Sequence, residues 1–472
     1  MPVTLYNSLT RKNEELYPQS PPKLCIYSCG VTVYDDCHIG HARSLYIFEV
    51  IRRYLKYRAY DVRFVRNITD IDDKIINRAN ELKLDWKELV NKYIARYYED
   101  MEALGIPKAD VEPRATENIE DMVAYIDKLV DKGFAYATQT GVYFNVRKFP
   151  GYGKLSGQSI ESMLTGVRKE ADENKLDPLD FALWKSSKPG EPSWPSPWGR
   201  GRPGWHIECS VMSAKYLQTG TLDIHAGGRD LIFPHHENEI AQAEALTGKP
   251  FATHWIHHGL LTINGQKMSK SLGNFITIKD ALKKYHPDVL KIFFLQAHYS
   301  SPIDFSDKKM EEASQAYERI LTLRQRLLEK CGQAPETGSK PYKVDDFILS
   351  FKEQFTGFMD GDFNTPRGLS MLFEMVTACN KILDDPDSQA DSARLESAAV
   401  LLKEMSFIFG LSFLPRGSSG SPDSEVLEMI ESRKRYKAQK KFAEADRIRK
   451  DLEEKGIIIE DTKDGTKWRR KL

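Results

Sequence analysis

LCIYSCG at residues 24–30, ARSLYIFEVIRRYLKY at 42–57 and DVRFVRNIT at 61–69 decide the fold. The first is a short apolar run ending in a glycine turn, the reading of a buried strand. In the second, Leu45, Phe48, Ile51 and Leu55 recur every three or four residues, the spacing of one helix face. The third sets valine and phenylalanine against arginine and reads as a second strand. Strand, helix and strand in this order predict an α/β fold with a doubly wound, Rossmann-like parallel sheet. Such sheets bind ligands beyond the carboxyl ends of their strands. Here those ends are Cys29-Gly30 and Thr69-Asp70.

Outward from this unit the pattern changes. Residues 118–200 carry short strand candidates such as GVYFNV (141–146), then a proline- and tryptophan-rich stretch running into SWPSPWGRGRPGW (193–205). They read as an insertion between two halves of the sheet domain, 1–117 and 201–255. TLDIHAGG (221–228) resumes the sheet pattern. Residues 256–307 form a further segment. From 308 to 415 helical spacing dominates, as in ASQAYERILTLRQRLLEK (313–330), and predicts an α-helical bundle. RGSSGSPDS (416–424) is a linker, and 425–472 a small α+β terminal unit.

A chain of 472 residues suits several domains of about 100–200 residues each. Apolar residues make up 41% and charged residues 29%, a globular rather than a disordered balance. Lys+Arg and Asp+Glu are equal at 68, which argues against a wholesale polyanion binder but leaves room for local basic patches. The opening residues show no secretory signal, and no apolar run is long enough to span a membrane. Six cysteines are too sparse for a disulfide framework, so reduced thiols in a cytosol are expected, some of them on metal.

Three constellations carry chemistry. His38-Ile39-Gly40-His41 places two imidazoles at i and i+3, on one side of a helix start, where phosphates also bind well. Gly40 lets a base or ribose approach the backbone, and imidazole N–H groups can stabilise charge on an attacked phosphate. Taken alone, two histidines at a helix cap would be the plainer reading. Lys267-Met268-Ser269-Lys270-Ser271, after the turn TING (262–265), offers ammonium groups to a leaving pyrophosphate; alone it would be a solvated basic loop. Cys29, Cys209, His235, His236, Glu237 and Glu239 are candidate metal ligands, with His235 and Glu239 sharing a helix face. The C-x-x-C spacing is absent, so buried free thiols are the alternative there. Asp70, Asp72 and Asp73 are read as structural.

The runs CGVTVYDDCHIGHARS (29–44), RNITDIDDKI (66–75), GRPGWHIECS (201–210), FPHHENEIAQ (233–242) and KMSKSLGN (267–274) resemble the cysteinyl-tRNA synthetase family of class I. DFNTPRGL (362–369) and KGIIIEDTKDGTKWRRK (455–471) extend the resemblance over nearly the whole chain. It implies an enzyme that activates L-cysteine with ATP and passes it to tRNA(Cys). It implies a zinc site of Cys29, Cys209, His235 and Glu239, and cysteine recognition by Gly30, Thr69, Trp205 and His225. ATP contacts are implied for His38, Gly40, His41, Lys267, Ser269 and Lys270, with Mg²⁺ accompanying ATP. His38, His41, Lys267 and Lys270 are the implied catalytic set. Residues 256–307 are implied to contact the tRNA stem and 425–472 the anticodon, in a cytoplasmic monomer. The terminal unit carries an excess of four positive charges, and Trp468-Arg469-Arg470 suits phosphate and stacking contacts.

Zinc fits the selection problem. Cysteine and serine differ by one atom, which an apolar pocket separates poorly. A thiolate bonds zinc far better than a hydroxyl does, so no editing domain is expected. The sequence departs from the family at two places. His225-Ala226-Gly227-Gly228 has alanine where glycine is common, with strain expected if Ala226 takes a positive φ. Lys74-Ile75-Ile76-Asn77 lacks the second lysine of a KIIK motif linked to persulfide formation. Rival readings are a cysteine:amino-sugar ligase of mycothiol synthesis, expected to lack the terminal unit; a non-catalytic RNA-binding paralogue, expected to have lost motif residues; and a generic zinc-binding scaffold, with no reason to keep either nucleotide motif.

Overall fold

In a computed structural model of the chain, residues 2–166, 174–269, 272–332, 345–385, 392–413, 423–439, 441–454, 457–462 and 465–470 are described. Four parallel strands form the central sheet. Their spatial order is Ala252–His258, Leu222–Gly228, Lys23–Thr32, Asp61–Thr69. The two halves of the domain meet where Lys23–Thr32 pairs with Leu222–Gly228, with Ile26 opposite Ile224 and Ser28 opposite Ala226. The carboxyl end of that pair is the topological switch point, where such sheets open a crevice.

The apolar run at 24–27 is continuous because both sheet faces are covered. Leu24 and Ile26 enter one core, and Cys25 and Tyr27 the other. The helix Ile39–Tyr57 crosses the first face. Its predicted stripe is buried, but so are Tyr46, Ile47, Val50 and Tyr54. The reason lies in the tertiary structure: the sheet covers one side and the helical bundle the other. Tyr46 Oη donates to the Phe409 carbonyl at 2.7 Å, and Tyr54 Oη to Asp360 at 2.6 Å.

The inserted stretch begins with the helix Ile119–Asp131 and forms an antiparallel sheet of Ala135–Ala137, Gly141–Phe144, Phe181–Ser186 and Gly201–Pro203. Asp73 ties it to the helix Asp73–Leu82 through Lys185 at 2.6 Å and through Arg202. Asp72 caps that helix, and Asp70 accepts from the backbone and hydroxyl of Thr116. All three aspartates are spent on structure. After the central sheet, Leu261–Ile263 and Gln266–Lys267 form a hairpin whose turn residues Asn264 and Gly265 both have positive φ. Ile303–Phe305 runs parallel to its first strand.

The helices Asp307–Cys331, Asp346–Asp360, Thr365–Asp384 and Ser392–Ile408 make the bundle. Helices Asp423–Ala438 and Phe442–Glu454 with the hairpin Ile457–Thr462 and Gly465–Arg470 make the terminal α+β unit. Val426, Ile430, Leu452, Ile457 and Ile459 are its core. Most of the expected linker at 416–424 lies outside the described residues. No described helix is long and apolar enough to cross a membrane.

Candidate active site

Cys29 sits where the pairing of Lys23–Thr32 with Asp61–Thr69 slips between Ser28 and Val31. That slip needs Gly30, because a Cβ there would lie 1.6 Å from the Asn67 carbonyl oxygen. Cys209 comes from the helix Trp205–Leu217, four residues after Trp205, so both project from one face. His235 lies in the turn Ile232–His236, and Glu239 in the first turn of the helix Glu237–Thr247. These elements bring four remote donors together. Cys29 Sγ lies 3.7 Å from Cys209 Sγ and 3.5 Å from Glu239 Oε1; His235 Nε2 lies 3.6 Å from Cys209 Sγ and 2.9 Å from Glu239 Oε1. Two sulfurs each about 2.3 Å from a tetrahedral centre lie about 3.7 Å apart. The donor types and spacing fit one tetrahedral metal ion.

A second quartet, Cys29, His225, His236 and Glu239, overlaps the first. Ligands of metals are normally oriented from behind. Within the first quartet, His235 Nδ1 meets His206 Nδ1 at 2.9 Å, and Glu239 Oε2 is held by His225 Nε2 at 2.6 Å. In the second, His236 Nδ1 meets His257 Nε2 at 2.8 Å, while His225 Nδ1 is buried with no hydrogen-bond partner among the described residues. Burial pushes the Cys29 thiol up; against the same burial, hydrogen bonds from Cys29 and His235 bring Cys209 down to about 6.

Trp205 stacks on His235 with ring centroids 4.1 Å apart and keeps 37% of its surface exposed, as a cover over the quartet. His225 is fully buried behind Glu239, stacked on Trp255. Thr69 donates to Glu208 at 2.9 Å and accepts from Asn67 Nδ2 at 3.2 Å, while Asn67 Oδ1 accepts from the Gly30 N–H at 2.8 Å. Asn67, His206, Glu208 and His257 escaped the sequence reading. A polar side chain inside an apolar strand, as Asn67 is, was the available signal. Ala226 does not have a positive φ, so the expected strain is absent. The methyl-sensitive position is the next one, where a Cβ on Gly227 would approach the His236 ring to 2.6 Å.

The second candidate group is built at the start of the helix Ile39–Tyr57. His38 is the N-cap, and its Nδ1 accepts from the Gly40 N–H at 3.1 Å and the His41 N–H at 3.3 Å. His41 Nδ1 accepts from the His38 N–H at 3.3 Å. Burial lowers His38 to about 4 and holds His41 well below the usual imidazole range, so both are neutral at pH 7. A neutral imidazole whose Nδ1 accepts carries its proton on Nε2. The two rings, stacked at 3.7 Å, each carry an Nε2–H donor without mutual repulsion.

The described part of the lysine peptide, residues 267–269, comes to the same place. Ile39 N–H donates to the Ile276 carbonyl at 3.1 Å, Ile278 N–H to the Cys37 carbonyl at 2.9 Å, and Phe275 meets the His38 ring edge-on. A Cβ on Gly40 would lie 3.5 Å from Met268 Cε. Asn274 braces the peptide, accepting from Ser269 N–H at 2.8 Å and donating to the Lys267 carbonyl at 3.2 Å. Lys267 is exposed. Lys270 and Ser271 lie outside the described residues.

Residues 15–315 match the family described as tRNA synthetases class I (C) catalytic domain, 354–414 the DALR domain, and 423–469 the cysteinyl-tRNA ligase anticodon binding domain. The cysteine–tRNA ligase of Aquifex aeolicus is 49% identical, covering 100% of this chain and 99% of that protein. That of Thermodesulfovibrio yellowstonii is 48% identical with all of both chains covered. The chain belongs to the cysteine–tRNA ligase family. It is an aminoacyl-tRNA synthetase with a class I catalytic domain. Among solved structures, Mycobacterium tuberculosis methionyl-tRNA synthetase in complex with methionyl-adenylate aligns with a TM-score of 0.62 at 16% identity, over 82% of this chain and 90% of that one. A leucyl-tRNA synthetase of Agrobacterium radiobacter aligns at 0.61 and 11% identity, over 84% and 85%. At such identities the likeness is one of fold.

Proposed function

We propose that this enzyme activates L-cysteine with ATP and transfers it to tRNA(Cys), with zinc held by Cys29, Cys209, His235 and Glu239. The observation that carries the reading is the quartet itself: two sulfurs, an imidazole and a carboxylate at tetrahedral spacing, at the switch point. Both His235 and Glu239 have outer partners, whereas His225 of the overlapping set has none on Nδ1, which favours the first set. When bound, zinc supplies a soft acceptor that takes a thiolate and rejects a hydroxyl.

The remaining chemistry belongs to the side chains. Trp205 closes over the amino acid, and Gly30 and Thr69 meet its polar end. His225 fixes Glu239. The substrate carboxylate is itself the nucleophile, so no protein base is required. As it attacks the α-phosphate, the Nε2–H groups of His38 and His41 stabilise the charge gathering there. Lys267 and Lys270 neutralise charge passing to pyrophosphate, with Mg²⁺ accompanying ATP. Ser269 and Gly40 shape the nucleotide's path. The 2′-hydroxyl of the terminal adenosine then takes the cysteinyl group. Residues 256–307 lie against the tRNA stem and 425–472 against the anticodon, in a cytoplasmic monomer. The match of 423–469 to an anticodon-binding family disfavours the amino-sugar ligase.

Charging of total tRNA with labelled cysteine and, separately, labelled serine tests this reading. Cysteine-only charging is expected. Equal charging by serine overturns the role given to zinc. No charging by a preparation that consumes ATP overturns the tRNA assignment.

A further inference from the structure

We infer that Arg43 is the positioning residue that sets the ATP cleft, by locking the helix bearing His38 and His41 to the small sheet bearing Lys267. The inference rests on the proposed adenylation reaction and names a residue that contacts neither substrate.

Arg43 lies one residue beyond Ala42 in the signature helix and is fully buried. A buried guanidinium is normally paired with a carboxylate. Among the described residues Arg43 has none. It is surrounded by main-chain carbonyls. Nη1 donates to Gly259 at 2.8 Å and Leu260 at 2.9 Å; Nη2 donates to Ser301 at 2.5 Å, and to His298 and Tyr299 at 3.4 Å each. Burial lowers its pKa to about 10, still well above neutral, so the cation persists.

The identity of those carbonyls matters. Gly259 and Leu260 are the crossing from the central strand Ala252–His258 into Leu261–Ile263, the first strand of the lysine hairpin. His298 to Ser301 lead into Ile303–Phe305, the strand paired with it. One planar fork therefore grips both roots of the three-stranded sheet that carries Lys267. The roots also touch one another: Gly259 N–H donates to Tyr299 at 2.9 Å, and Ile303 N–H to Leu260 at 3.0 Å. A Cβ on Gly259 would lie 2.2 Å from the Ser301 carbonyl oxygen. Any tilt of the sheet about these roots moves Lys267 relative to the two imidazoles, whereas the metal quartet belongs to other elements. Lysine keeps the charge but lacks the fork, so it cannot span both roots.

Arg43→Lys is compared with the wild type in cysteine-dependent ATP–pyrophosphate exchange, alone and combined with Lys267→Ala. In the otherwise native enzyme, the substitution is expected to lower kcat by about 10–100-fold, the scale of a misplaced reacting geometry. KM for cysteine and zinc content are expected to stay within about twofold. In the Lys267→Ala background the same change should cost less than about threefold, because the group being positioned is gone. Gly259→Ala, which leaves the guanidinium itself unchanged but spreads the roots whose carbonyls it holds, is the second variant, and the same pattern is expected. Equal losses in both backgrounds, or a matching rise in KM for cysteine, reduce Arg43 to a stability residue and overturn the inference. A rate within twofold of wild type in both variants overturns it as well. A wild type that activates no cysteine overturns the adenylation reading first, and the inference with it.

Discussion

The metal quartet and the lysine peptide are built in opposite ways. Around the quartet, Glu239 is backed by the buried His225 and His235 by the half-buried His206, and Trp205 covers the front. Lys267 is exposed, and its peptide is held chiefly by the crossing amide of Asn274 and by backbone bonds at 276–278. The difference suits the tasks proposed for the two regions. Telling sulfur from oxygen requires donors fixed to a fraction of an ångström. Stabilising a triphosphate requires charge that reaches the ligand where it lies. Preorganisation is concentrated on the amino-acid side, and the nucleotide side is assembled from two chain segments.

This contrast can be broken from its rigid end first. Cys209→Ser removes a ligand outright, and should cost more in zinc content and cysteine affinity than the ~10–100-fold typical of losing an outer partner. Metal analysis and cysteine titration check it; unchanged values would remove Cys209 from the site. Lys267→Ala should slow adenylate formation by about 10²–10³, the cost of one transition-state donor, while leaving zinc content intact. A wild-type single-turnover rate would show the peptide to be idle. His225→Gln leaves Glu239 a weaker partner and should reduce zinc affinity by about 10–100-fold; chelator competition measures this. If affinity held, the bracing of Glu239 would be incidental.

The smallest expected effect sharpens the nucleotide side. Burial holds His38 and His258 at about 4, below the ~6.5 of an unfolded chain. Between those values the unfolded chain binds protons that the native one refuses, so stability falls as pH drops from about 6.5 towards 4. Above that window the contribution is complete. His38→Asn keeps a cap acceptor and should leave stability at pH 7 within about 1 kcal/mol, yet reduce the acid slope. Melting temperature against pH reads the result, and an unchanged slope would place the lost stability elsewhere.

Much of this was legible in the chain. The continuous apolar run 24–27 and the arginine-interrupted strand 61–69 placed the sheet, but the strand does not end in the expected turn at Gly30: it runs on to Thr32, with Gly30 inside a slip in its pairing. The stripe Leu45, Phe48, Ile51, Leu55 gave the helix but missed that Tyr46 and Tyr54 are also buried, since nothing local announces a bundle packed on the far side. His38 and His41 were readable from spacing. Their neutral, Nε2-protonated state was not, because it depends on burial and on backbone donors.

By itself, then, the sequence determined which elements form and which residue types line their ends, because periodicity and capping act over a few residues. Only the tertiary structure decided the rest. Cys29 and Cys209, 180 residues apart, meet at 3.7 Å because two helices and a slipped strand converge there. Arg43 finds carbonyls from positions more than 200 residues away. Such meetings are properties of packing between elements, and no local pattern encodes the distance at which two remote segments come to rest.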